Sequence, residues 1–244
     1  MLSAWFRTTE KLIHWLGLWE TPSFSAHKPV HRAALVLLMF GAALALVNDA
    51  AQTDSSVDAW GALQSQAVTA LVFLALALLG IGLPFWRRWS QARLRLGLLN
   101  LRHRDWLAGV GAGICLYALA YAATTVWSHA VPADAFVEQT KEARMLHEAL
   151  GVNLLPALLL ALLTAASEEI LFRGALQPVF GALITSIFFT LLHPALLYTP
   201  GMLIIFGLSL GLGWLRIRWN TGVAVAAHAS YNFLPFLLAH AGAA

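Results

Sequence analysis

Of the chain's 244 residues, 59% are hydrophobic and only 11% charged, less than half the charge of an ordinary soluble domain, where about a quarter is usual. With a mean hydropathy of +0.71, this excludes a water-soluble globule and points to an all-α, polytopic integral membrane protein, because a spanning helix satisfies its own backbone hydrogen bonds. A pI near 9.4 raises nucleic acid as a partner, but the placement of the basic residues removes it. The single cysteine, Cys115, has no internal disulfide partner and reads as a small buried packing residue.

In chain order, residues 1–32 begin with "MLSAWFRTTEKLIHWLGLWE", which mixes Arg7, Glu10 and Lys11 with Trp5, Phe6, Leu12, Ile13, Trp15, Leu16 and Leu18. That mixture suits an amphipathic helix lying in the membrane interface and does not suit a cleavable leader. Residues 33–244 form the transmembrane domain. About 20 apolar residues cross a bilayer, and seven spans are expected. These are Ala33–Val47, Ala67–Trp86, Trp106–Trp127, Val152–Ala166, Val179–His193, Gly201–Ile217 and Gly222–Leu238.

Charge orients the spans. The segment between the second and third, "RRWSQARLRLGLLNLRHRD", carries six arginines. The segments after the first and third are acidic, with Asp49, Asp54 and Asp58 in one and Asp134, Glu138, Glu142 and Glu148 in the other. A cytoplasmic N-terminus puts all of the 15 lysines and arginines inside except Lys141 and Arg144, a strong positive-inside pattern. The basic pI therefore reports topology, and the lipid bilayer replaces nucleic acid as the expected partner. Gly109-x-x-x-Gly113 and Gly207-x-x-x-Gly211 have the spacing of helix-packing faces.

"SEEILFRG", residues 167–174, ends the apolar run of the fourth span. Residues four apart share a helix face, so Glu169 and Arg173 are natural partners. Glu168 lies about 100° away and has no partner in its own helix, and an unpaired intramembrane carboxylate is a functional hypothesis. Later spans add Phe189 and His193, then His228 and Asn232, each pair also four apart. A turn at Gln177–Pro178 would leave Glu168 roughly 14 Å before it and His193 roughly 22 Å beyond it, so the two depths do not coincide.

At these residues the chain resembles the CAAX prenyl endopeptidase and bacteriocin-processing (CPBP, or ABI) family of intramembrane proteases. The matching pattern is Glu168-Glu169-x-x-x-Arg173, Phe189-x-x-x-His193 and His228-x-x-x-Asn232, within a protease-like core at about residues 152–240. The resemblance implies an intramembrane peptide hydrolase in which Glu168 and His193 activate water. It implies that His228 and Asn232 hold the oxyanion and that Glu169 and Arg173 give structural support. The implied substrate is a peptide or protein, membrane-associated or lipidated. The composition, rich in Ala, Leu and Trp, suggests a bacterial cell membrane, and the inward position of "SEEILFRG" together with the resemblance implies a cavity open to the cytoplasm.

Other chemistries stay open. Glu168, His193 and His228 are a conceivable zinc set, which would make the chain a metalloprotease. The compact His-Glu-x-x-His signature is missing, so a glutamate mechanism without a cofactor is favoured. Ser209 in "GLSLG" matches Gly-x-Ser-x-Gly, but it lies inside a span, whereas the hydrolase elbow needs a strand-to-helix turn. A membrane scaffold or immunity-type binding protein, or a transporter with a proton relay, would use the same polar residues without cutting anything.

Overall fold

The computed structural model describes residues 2–17, 19–48, 58–83, 85–98, 102–150 and 153–243. Leu18, Asp49, Asp54, Val152 and the side chain of Glu142 lie outside that description. The described residues form helices and no strand. Five helices are long and apolar enough to cross a membrane, and two shorter apolar ones, Pro29–Leu44 and Ala182–Leu191, accompany them.

Helix α1 (Leu2–Trp15) splits its apolar residues between two faces. Phe6 and Ile13 are buried in the same core as the later helices, while Trp5, Leu12 and Trp15 are exposed. Helix α2 (Pro29–Asn48) begins on a proline, whose missing N–H costs nothing in a first turn. Helix α3 (Ala59–Gly80) starts eight residues before the expected span because Asp58 caps it, its Oδ1 accepting from Gly61 N at 2.6 Å. Three short helices were not foreseen: α4 (Trp89–Arg95), inside the arginine-rich segment, and α6 (Ala133–Gln139) and α7 (Lys141–Leu150), inside the acidic one. Between them runs α5 (His103–Ala130), on which Cys115 is exposed and not buried as expected, because it lies off the face that Gly109 and Gly113 press against α12.

The fourth span differs most from expectation. Helix α8 (Leu154–Glu169) continues into the motif as expected, but there it widens into a π-helical segment, Ile170–Leu176, and runs on as α9 (Gln177–Phe180). Pro178 falls in the first turn of α9, where it breaks nothing. The corner comes instead at Gly181, whose φ of +83° suits glycine. Helix α10 (Ala182–Leu191) is then too short to span, and His193 lies past its end, preceding a 3₁₀ turn at Pro194–Leu196. Nearly equal stretches of chain now separate Glu168 and His193 from the corner, which removes the depth mismatch expected from a turn at Gln177–Pro178.

Helices α11 (Gly201–Arg218) and α12 (Thr221–Ala243) close the bundle. Asn220 caps α12, its Oδ1 accepting from Val223 N at 3.0 Å. Helix α12 packs on α5 through the first glycine pair. A Cβ on Gly109 would come within 2.6 Å of Ala226 Cβ, and one on Gly113 would collide with Ala227 O. The second pair does not behave as one face: Gly211 abuts Leu116, but Gly207 faces open space.

Candidate active site

The π-helical segment positions the first motif. A π turn leaves carbonyls out of the i→i+4 ladder, and in a membrane those oxygens need other donors. Two arginines from outside the span supply them. Arg95 donates through Nη1 to Gly174 O (2.9 Å) and through Nη2 to Ala175 O (3.3 Å), and Arg216 Nε donates to Arg173 O (3.2 Å). Gly174 suits the close approach of Leu96, whose O a Cβ there would meet at 3.2 Å. Gln177 ties the same stretch to α11, its Nε2 donating to Gly213 O at 3.0 Å.

Arg173 is fully buried, and so is Glu169. Its Nε lies 3.4 Å from Glu169 Oε2, which makes an ion pair one helical turn long. Its Nη2 donates to Ser209 Oγ (2.9 Å) and Ser209 O (3.1 Å), and the Phe189 ring lies 4.8 Å beneath its Cζ. Ser209 is therefore an acceptor for a buried guanidinium, and the Gly-x-Ser-x-Gly spacing is incidental. Nothing near Ser209 in sequence pointed to that role, since Arg173 lies on another helix.

His228 is buried beside both carboxylates. Its Nδ1 donates to Glu169 Oε1 at 2.9 Å, and its Nε2 faces Glu168 Oε2 at 4.0 Å. Glu169 thus bridges Arg173 and His228, a contact the sequence did not reveal. Glu168 differs: its side chain is 12% exposed, and its buried Oε2 accepts no hydrogen bond from any described group. Across the Phe189 ring, whose centre lies 4.7 Å from that of His193 and 6.3 Å from that of His228, sits the second motif histidine. His193 Nδ1 lies 2.8 Å from Phe189 O. A carbonyl can only accept, so Nδ1 carries the proton and Nε2 is left with the lone pair.

The structure therefore brings Glu168, Glu169, Arg173 and His228 into direct or near contact. It places His193 nearby without a hydrogen bond to Glu168. Asn232, one turn beyond His228, lines a cavity of about 630 Å³ between α3, α8 and α12. That cavity also holds Gln66 and Thr164, and it reaches the acidic end at Asp58 and Gly61. An opening at the arginine-rich, cytoplasmic end was expected. The small side chains of Ala157 and Ala161 leave the room on the opposite side.

Residues 150–234 match a family described as "Type II CAAX prenyl endopeptidase Rce1-like". The region is Rce1-like. No curated protein and no solved structure is matched. The Rce1-like region runs from the end of α7 to the middle of α12 and contains all three motifs. The match supports a peptidase of the CAAX protease type, acting on a peptide or protein.

Proposed function

We propose that the chain is an intramembrane endopeptidase in which Glu168 is the general base. The observation that supports this most directly is the contrast between two adjacent carboxylates. Glu169 Oε1 accepts from His228 Nδ1 and its Oε2 lies 3.4 Å from Arg173 Nε in an ion pair, whereas Glu168 Oε2 accepts no hydrogen bond from any described group and approaches only His228 Nε2, at 4.0 Å. A carboxylate free of a close cation can take a proton from water; one held by a buried guanidinium and an imidazole cannot do so cheaply.

His193, with its lone pair on Nε2, shares in activating that water. The proton passes from water to the Glu168 carboxylate as oxygen attacks the scissile carbonyl, and Glu168 then returns it to the leaving amine. His228, held through Nδ1 by Glu169, donates from Nε2 as an imidazolium to the tetrahedral oxyanion, and Asn232 supplies a second donor. Glu169 and Arg173 position His228. Among the described residues no three His, Cys, Asp or Glu side chains converge closely enough to hold a metal ion. Glu168, His193 and His228 therefore do not fit zinc as they stand, and no step is routed through a metal.

The test compares cells carrying wild type and Glu168→Gln by mass spectrometry of peptide termini, followed by membrane assays with and without chelator. Termini that vanish in a folded Glu168→Gln variant support the reading. Unchanged termini would favour a scaffold or a transporter, and loss of cleavage with chelator would overturn the metal-free step.

A further inference from the structure

A second cavity, of about 590 Å³, lies between α2, α3 and the π-helical segment, away from Glu168. Its wall is apolar, with Ala34, Leu38, Leu76 and Leu79 on one side and Leu171 and Ala175 on the other. It follows α2 from Val30 to Leu38, roughly 12 Å at the helical rise. Leu37, Leu76 and Leu79 are 42–55% exposed, so the groove opens sideways, where lipid would surround the bundle.

At the arginine-rich end the lining changes to Lys28, His31, Arg87 and Arg95, and among the described residues no carboxylate lines the cavity. Glu20, the acid that acts on Arg216, lies outside it. Arg87 Nη1 donates to Ile81 O, the open carbonyl at the end of α3. His31 Nδ1 accepts from Ser25 N at 3.0 Å, so its Nε2 carries the proton and is a donor. Burial first, and then the nearby Arg87 and Arg216 guanidiniums, push Arg95 below its ordinary pKa. Trp86, 73% exposed, stands at the mouth as interfacial tryptophans do.

An apolar channel as wide as this, with cations only at its water-side end, has the polarity of an anionic amphiphile. We propose that the groove binds an anionic phospholipid, one acyl chain lying between α2 and α3 and the phosphate held by Lys28, Arg87, Arg95 and His31 Nε2–H. Basic pockets between membrane helices hold such headgroups by the same charge complementarity. A choline headgroup would bring its own cation towards the cluster and lose that advantage. Arg95 also clasps Gly174 O and Ala175 O, so a bound phosphate braces the π-helical segment from behind. The site stands independently of the peptidase reading.

The test is native mass spectrometry of the full chain in mild detergent, titrated with dioleoyl phosphatidylglycerol or dioleoyl phosphatidylcholine. Wild type should retain phosphatidylglycerol at roughly tenfold lower concentration, and the melting temperature should rise with that lipid only. Lys28→Gln with Arg87→Gln should abolish the preference, and Ala34→Phe, which fills the channel, should weaken retention of phosphatidylglycerol. Equal retention of the two lipids by wild type would overturn the proposal whether or not the variants fold. Persistence of the preference in the double variant would overturn it too, as would displacement of phosphatidylglycerol by glycerol phosphate at equal concentration.

Discussion

Glu168 and Glu169 are neighbours in sequence and opposites in circumstance. One turn of helix fixes the reach from Glu169 to Arg173, which is why that pairing could be read from spacing alone. The bond from Glu169 to His228 spans 59 positions and has no local signature. Removing Arg173 would strand a fully buried carboxylate, a change that costs about 3–5 kcal/mol. Arg173→Ala should therefore reduce the folded yield in detergent, measured by size-exclusion chromatography; a well-folded but inactive variant would show that the pair has a chemical role instead. His228→Ala should slow cleavage by about a hundredfold or more, the loss expected for one oxyanion donor, and unaltered kinetics would remove His228 from the site. Glu168→Gln should abolish turnover with the fold intact, because the side chain keeps its shape and loses its basicity.

At the scale of elements, the two glycine pairs show how far a motif can be trusted. Both have the same spacing, but only in the first pair do both glycines lie where another helix comes close; Gly211 meets Leu116 of α5, whereas Gly207 faces open space. Gly113→Ala should lower the melting temperature in detergent, since the new methyl group meets the backbone of α12. Gly207→Ala should leave it unchanged or raise it slightly, because alanine is the better helix former and the site is open. Equal effects at both positions would contradict the packing described. The π-helical segment could not be read from "ILFRGAL" because its sequence is ordinary. It persists because Arg95 and Arg216 satisfy the carbonyls it exposes, and both donors belong to other elements.

For the whole molecule, the separation of charge predicts the topology. In a Cys115→Ser background, Arg88→Cys should react with an impermeant maleimide only after the membrane is opened. Asp134→Cys, at the acidic end, should react in intact cells. The reverse pattern would invert the bundle and with it the side from which the cavity at Asn232 is reached. The seven apolar segments were legible because each carries its own hydropathy. Their ends were less so, because Asp58 and Gly181 shift the boundaries through a cap and a turn that outweigh the composition.

The sequence by itself determined the solvent, the all-helical class, the uneven charge at the two ends and the local pair Glu169–Arg173. These follow from composition and from the period of the helix. Tertiary structure decided which carboxylate meets His228, that Ser209 serves Arg173, where the chain turns between Glu168 and His193, and that three cations and a histidine gather at an apolar groove. Each of these depends on groups far apart in the chain, whose proximity is set by how the helices pack.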